Sequence, residues 1–364
     1  MHLFPRLTAL VKDTIVTTRL ISRHCQKSTF LQWGTYGALV KISAWQCFAL
    51  TVINPKSKIQ NPKSIVILGS GAWGTTLASL ASKNGYDVRL WSRQGSVLLE
   101  DILEGAHIVL SAISMKGVAS VVAQVQSLPV SPDTIFVTAT KGLDPATTST
   151  PSQIWQAAFP TNPVVVLSGP NLSKEIQQGL PAATVVASTD AIAASSVQAV
   201  FSSPSFRVYT NADPLGVELG GTLKNVMAIA AGTCDGLQLG TNAKAALLTR
   251  GLTEIIRIGN HWGAQTETFY GLSGLGDLLA TCNSSLSRNY QVGYSLAQGK
   301  TLSEVLAELE GTAEGVNTTS VLIQRANAKG VSVPISYQVY RLLQGEITPL
   351  SAVEALMLRD SKPE

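Results

Sequence analysis

Between residues 65 and 210, short apolar runs rich in β-branched residues alternate with polar, turn-forming and helix-patterned segments. The runs are "IVILG" (65–69), "DVRLWS" (87–92), "HIVLSA" (107–112), "TIFVTAT" (134–140), "PVVVLS" (163–168), "ATVVAS" (183–188) and "FRVYT" (206–210). Strands that are apolar throughout, rather than alternating, are those covered by helices on both faces of a parallel sheet. "WGTTLASLASKN" (73–84) and "SSVQAVFSS" (195–203) carry helical periodicity between them. The texture changes after residue 211. Long helical patterns follow, "LGVELGGTLKNVMAIAAGTCDGL" (215–237) and "NAKAALLTRGLTEIIRIGNHWG" (242–263), then three shorter ones to residue 346. The pattern predicts an α/β fold: a Rossmann-type doubly wound sheet over 65–210, followed by an all-helical domain over 211–364.

Residues 1–64 stand outside this rhythm. The chain has 27 basic and 23 acidic residues; nine of the basic ones and only Asp13 of the acidic ones fall in this leader, which leaves 18 and 22, a net of −4, for the rest. The basic character therefore belongs to the leader, and the remainder carries no basic signature for nucleic acid. The longest apolar stretch of the leader, residues 42–53, is too short to span a bilayer. "NPKS" occurs at 54–57 and again at 61–64. The leader reads as a disordered or spurious extension, with a targeting segment as the competing reading. The four cysteines form no C-x-x-C pair or Cys/His cluster, which predicts no metal site and a reducing, cytoplasmic compartment.

"GSGAWG" (69–74) follows the first strand and opens the first helix. Gly69 permits a tight turn, Gly71 lets backbone approach a pyrophosphate, and Gly74 lets the helix pack on the strand. The helix start, with Ala72 and Trp73, presents N–H groups to phosphates. The second strand ends "LWSRQ" without the carboxylate that usually holds an NAD ribose. Arg93 there suits a 2′-phosphate, which favours NADPH over NADH; an ordinary surface arginine is the plainer reading. Lys224, set among small and apolar residues, is placed for a desolvated ammonium of lowered pKa. Gly220 and Gly221, one turn earlier, would leave room for a ligand.

Five further stretches, in this order, carry a resemblance: "ATKGL" (139–143), "LSGPNLSKE" (167–175), "LGGTLKNVMAIAAG" (219–232), "GLSGLGDLLATCNSSLSRN" (271–289) and "GTAEGVNT" (311–318). Together they make residues 65 onward resemble the bacterial-type NAD(P)-dependent glycerol-3-phosphate dehydrogenases. The resemblance implies reversible reduction of dihydroxyacetone phosphate to sn-glycerol 3-phosphate, feeding glycerolipid and phospholipid synthesis, by a homodimer acting on a small-molecule substrate. It implies Lys224 and Asp277 as catalytic residues. It implies Lys141, Gly169, Asn171, Ser287, Arg288 and Asn289, with Lys224 and Asp277, as substrate contacts. On the cofactor side it implies Lys141, Ser173, Arg288, Thr312 and Glu314. An N-cap is the simpler role for Asp277. Two departures stand out: only "QGSVLLEDILEGA" (94–106) separates the second and third strands, where relatives are longer, and "SAISMKGV" (111–118) brings an unexpected Lys116. Two other readings fit the fold: a reductase of a different keto or β-hydroxy acid, and a non-catalytic NADPH-binding regulator.

Overall fold

The computed structural model describes residues 63–360. The expectations for residues 1–62 of the leader lie outside these. Ser64, expected in the leader, instead opens the first strand: its hydroxyl donates to the Gly105 carbonyl at 2.7 Å and its side chain is buried.

Seven strands form one sheet: β1 (Ser64–Leu68), β2 (Asp87–Trp91), β3 (Ile108–Ser111), β4 (Ile135–Thr138), β5 (Val164–Ser168), β6 (Ala182–Ala187) and β7 (Phe206–Asn211). Their spatial order is β2-β1-β3-β4-β5-β6-β7. Six helices lie between them in sequence: α1 (Ala72–Lys83), α2 (Leu99–Leu103), α3 (Met115–Gln126), α4 (Pro151–Ala158), α5 (Ser173–Gln177) and α6 (Ala191–Phe201). The apolar runs resolve into two cores because successive strand side chains point to opposite faces. Ile65, Ile67 and Leu110 pack with Leu77 of α1 and Val197 of α6. Val66, Leu68 and Val109 pack with Val118 of α3 and Trp155 of α4. Each such fully buried aliphatic contributes about 1.5–3 kcal/mol.

The sheet is not wholly parallel. β6 runs antiparallel to β5, and β7 parallel to β6. β6 sets out from the end of the sheet at which β5 finishes, so the β5–β6 connection with its five-residue α5 does not run back along the sheet; helix length alone does not impose this, since the five-residue α2 joins β2 and β3, which run parallel.

Beyond β7 the described chain is helical: α7 (Pro214–Gly236), α8 (Gly240–His261), α9 (Thr266–Phe269), a π-helical turn (Leu272–Gly276), α10 (Asp277–Cys282), α11 (Arg288–Ala297), α12 (Leu302–Glu308), α13 (Glu314–Lys329), α14 (Pro334–Leu343) and α15 (Pro349–Met357). α7 is buried almost all round, as its small and apolar composition dictates, and the other helices gather about it. α11 crosses it so closely that a Cβ on Gly293 would meet the Ile229 carbonyl oxygen at 1.8 Å. None of the described helices is long and apolar enough to cross a membrane.

Candidate active site

The glycine turn joins β1 to α1. Gly69 takes φ +115°, and a Cβ on Gly74 would lie 1.9 Å from the Gly69 carbonyl oxygen, so both are required by the chain itself. Gly71 differs. It is the N-cap of α1, no side chain caps it, and no protein atom lies within 4 Å of where its Cβ would be. The first and third glycines shape the turn and the second leaves a cradle before the helix N-terminus. That is the fit a pyrophosphate needs. Ala72 is exposed there, while Trp73 is half-buried against the sheet core. The Gly69 N–H donates to the Trp91 carbonyl at 2.9 Å, which brings the end of β2 beside the turn; Arg93 follows it, exposed. Lys116 is also exposed, on α3.

A second group forms where α7 meets the glycine-rich "GLSGLG" segment. A Cβ on Gly220 would lie 2.8 Å from the Ser273 carbonyl oxygen. The two stretches run side by side, and one turn further along each, Lys224 meets Asp277. Lys224 Nζ is 2.8 Å from Asp277 Oδ1, and Lys141 Nζ, coming from the end of β4, donates to Oδ2 at 2.5 Å. Asp277 is only 2% exposed. Its side chain makes no N-cap bond; it is spent on the two ammonium groups. Thr281, one turn on, accepts from Lys224 Nζ at 2.5 Å and donates to Asp277 Oδ1 at 3.1 Å.

The charges set one another. Burial lowers the Lys224 pKa, Asp277 raises it and Lys141 lowers it, leaving it at about 8. Burial alone would raise the Asp277 carboxyl, but the two lysines outweigh it and hold it below its ordinary value. A buried ammonium with a pKa lowered to about 8 and held by Asp277 and Thr281 is suited to give a proton to a developing oxyanion.

The glycines on α7 do not leave space for a ligand, contrary to the sequence expectation. Gly220 admits the Ser273–Gly274 backbone, and Gly221 admits Ser168 and Lys141, whose Cε would lie 3.2 Å from an added Cβ. They bring the machinery together rather than open a pocket. Gly169, at φ +153°, accepts weakly from Lys141 Nζ at 3.4 Å. Asn171 donates to Thr184 Oγ1 at 2.9 Å, which leaves its Oδ1, like Ser168 Oγ, buried without a protein partner among the described residues. Those two orphaned atoms beside the lysines suit a polyhydroxylated substrate.

Arg288, Thr312 and Glu314 form a third group. Arg288 is exposed and donates to the Thr312 carbonyl at 3.3 Å. Glu314 Oε1 accepts from the Met115 N–H at 3.2 Å, and burial raises its pKa. Gly142, next to Lys141, packs on Met115 close to Glu314 Oε2. All three groups lie at the C-terminal ends of β1, β3, β4 and β5, where open α/β sheets bind ligands.

Residues 213–354 match the family model described as NAD-dependent glycerol-3-phosphate dehydrogenase C-terminus, and residues 64–102 and 95–194 match the corresponding N-terminus. The chain belongs to the NAD-dependent glycerol-3-phosphate dehydrogenase family. Curated relatives named glycerol-3-phosphate dehydrogenase [NAD(P)+] include one from Nostoc sp., 71% identical over 301 residues, covering 83% of this chain and 98% of its own. Another, from Synechocystis sp., is 62% identical over 303 residues, covering 83% and 96%. Among solved structures, the glycerol-3-phosphate dehydrogenase from Coxiella burnetii superposes with a TM-score of 0.79 at 33% identity, covering 82% of this chain and 99% of that one. The two N-terminal matches overlap at 95–102, in the β2–β3 segment where α2 lies.

Within this dehydrogenase fold, two expected substrate contacts are already engaged internally. Ser287 caps α11 by accepting from the Tyr290 N–H at 3.2 Å, and Asn289 Oδ1 accepts from the Gly315 N–H at 2.9 Å. Ser287 Oγ and Asn289 Oδ1 are thus occupied within the protein on either side of Arg288, while the Ser287 O–H and the Asn289 Nδ2 donate to no protein atom among the described residues and remain available to a ligand. Ser173 opens α5, which is tied to α1 by Gln177 Nε2 donating to Thr76 Oγ1 at 2.8 Å. Sequence reasoning missed Ser168, Thr281 and Glu218. Glu218, buried in α7, accepts from the Ser152 N–H at 2.9 Å and from the Ser152 hydroxyl; burial pushes its carboxyl up to about 7. A glutamate in the apolar first turns of α7, about two turns before Lys224, was the available signal. A cavity of about 890 Å³ lies elsewhere, between the far part of α7 and α8, α14 and α15, lined by apolar residues such as Leu247, Val339 and Leu356; the site chemistry is not there.

Proposed function

We infer that this chain catalyses the reversible, nicotinamide-dependent reduction of dihydroxyacetone phosphate to sn-glycerol 3-phosphate, a precursor of glycerolipids. The observation that carries the reading is the buried Lys141–Asp277–Lys224 arrangement in a family member. The bound nicotinamide supplies a hydride to the substrate carbonyl carbon. Lys224 Nζ gives a proton to the carbonyl oxygen as its negative charge develops, and so completes the alcohol. Asp277 keeps that ammonium charged and aimed, and Thr281 fixes its third direction. In the reverse direction neutral Lys224 takes the hydroxyl proton. Lys141 and Arg288 are the cations for the substrate phosphate, with Gly169, Asn171, Ser287 and Asn289 shaping that side.

The cofactor lies against Gly69, Gly71, Ala72, Trp73 and Gly74, with Ser173, Lys141, Arg288, Thr312 and Glu314 lining its nicotinamide half. The sheet region 65–210 is the dinucleotide-binding domain and 211–364 the catalytic domain. Arg93 makes NADPH the preferred donor, with NADH a weaker one. The enzyme works in the cytoplasm as a homodimer; the exposed Leu350, Met357 and Leu358 of the last helix and its end support an apolar contact between copies. The test is steady-state kinetics with both cofactors on the full chain and on residues 63–364. Turnover of dihydroxyacetone phosphate but not of keto acids, equal in both chains, is expected. Turnover of keto acids alone, or unimpaired turnover by Lys224→Ala, overturns the reading.

A further inference from the structure

We propose that Glu218 is a positioning residue for Lys141: it ties the start of α4 to α7 and so holds the loop that carries Lys141 in register with Lys224 and Asp277. The proposal rests on the functional reading above and goes one layer outward from the reacting groups.

Lys141 does not sit on a regular element. It lies in residues 139–150, which run from the end of β4 to α4. Only its ammonium group has to reach Asp277, on the far side of α7's glycines, and a four-carbon side chain on a loose loop would lose that aim. The loop is fastened at both ends and in the middle. At its start the Ala139 N–H donates to the Ser111 carbonyl, and Thr140 Oγ1 donates to the Ile113 carbonyl at 2.9 Å. In the middle the Gly142 N–H donates to Thr222 Oγ1 on α7 at 3.1 Å, and Leu143 is buried in the helical core. At its end Ser152, on the first turn of α4, donates twice to Glu218 on α7. Glu218, Gly221 and Thr222 fall at i, i+3 and i+4, one stripe of α7. Lys141 crosses that stripe between the two hydrogen-bonded anchors, over Gly221.

Glu218 bonds Ser152 and the Thr150 side chain at the start of α4 but is not the sole support of that helix. That helix has its own capping box, with Thr150 at the N-cap and Gln153 Oε1 accepting from the Thr150 N–H at 3.1 Å. It is also anchored to the sheet by Trp155, which stacks on Phe136 of β4 at 4.8 Å between ring centroids. Burying a carboxylate is unfavourable unless its bonds do something else. What these bonds add is a link from a sheet-anchored helix to the helix that carries Lys224. Without the carboxylate the Gly142–Thr222 bond still holds the loop to α7, but the tie one turn earlier along the same stripe is lost and the Lys141 stem gains freedom over Gly221.

The experiment is a double-mutant cycle on the full chain, combining Glu218→Gln with Lys141→Ala, with kcat and KM for dihydroxyacetone phosphate and the melting temperature measured for all four proteins. Glu218→Gln is expected to raise KM about tenfold while changing kcat less than about threefold, and to add less than about twofold once Lys141 is absent. Ser152→Ala, which keeps the Glu218 carboxylate but removes one of its donors, should raise KM about threefold and serves in the cycle if Glu218→Gln does not fold. Equal effects of Glu218→Gln with and without Lys141, or a lowered melting temperature with unchanged KM, overturn the proposal. Wild-type turnover is measured first: its absence would sink the functional reading, whereas turnover with an additive cycle sinks only the role of Glu218.

Discussion

Replacing Asp277 by asparagine keeps the shape of the site and removes the charge on which two buried lysines depend. At the 2.8 Å separation from Lys224, an ion pair at an effective dielectric of ~20 is worth about 6 kcal/mol. An asparagine oxygen still accepts a hydrogen bond, so about half of that is lost, in line with the ~3–5 kcal/mol cost of stripping one partner from a buried pair. At ~1.4 kcal/mol per pH unit, Lys224 should fall by about two units, from about 8 to about 6. The reduction requires protonated Lys224. Wild-type kcat/KM should therefore hold below pH 8 and fall as pH rises through it, and in the variant the same limb should appear near pH 6. At pH 8 the protonated fraction drops from about a half to about one in a hundred, a loss of ~50-fold that shrinks as the assay is made more acidic. The assay follows NADPH absorbance with dihydroxyacetone phosphate between pH 5.5 and 10. A limb that stays near pH 8 in Asp277→Asn, or a defect of constant size across the range, would falsify the assignment of Lys224 as the proton donor.

The glycine turn makes a contrasting pair. Gly71→Ala, which meets no protein atom, should leave the melting temperature within about 2 °C of wild type but raise KM for either cofactor at least tenfold. Gly74→Ala drives a methyl into the Gly69 carbonyl and should cost about 2–4 kcal/mol of stability in chemical denaturation; equal melting of the two variants would refute this division of roles. Arg93→Ser should raise KM for NADPH about tenfold and leave that for NADH unchanged, the loss expected for one exposed charge-assisted phosphate contact; parallel changes with both cofactors would mean Arg93 does not select. Light scattering should give twice the chain mass, and Met357→Glu with Leu350→Glu should halve it; a monomer at micromolar concentration in the wild type removes the dimer proposal.

The inner strands were legible because both of their faces are covered, and the edge strands β2 and β7, each with exposed positions, were still marked by their β-branched and aromatic residues; the apolar runs from "IVILG" to "FRVYT" all became strands. The direction of β6 was not legible, since periodicity is the same for either direction and the five-residue helices α2 and α5 accompany a parallel and an antiparallel strand alike. The pairing of Lys224 with Asp277 was accessible through family resemblance alone: 53 residues separate them, and nothing local says that Gly220 and Ser273 come into contact. Small residues were the most easily misread. Gly220 and Gly221 announce a close approach but not whether a ligand or the protein makes it. Ser287 and Asn289 show the same ambiguity for polar groups, because a hydroxyl or amide suited to phosphate is equally suited to a helix cap.

α7 has a consequence for how such an enzyme can change over time. Its residues around Lys224 are buried and packed between the other helices and the end of the sheet, so their amide hydrogens should exchange only through opening of the whole fold. Lys224, the proposed proton donor, is thus placed in the part of the molecule least able to fluctuate or to accept substitution. Gly71 and Arg93 are on the exposed rim of the sheet, where replacements disturb few neighbours. On the roles proposed for Arg93 and Lys224, mutational drift can retune which nucleotide is used while the proton-transfer geometry stays locked to global stability, so donor choice and chemistry are free to evolve at different rates.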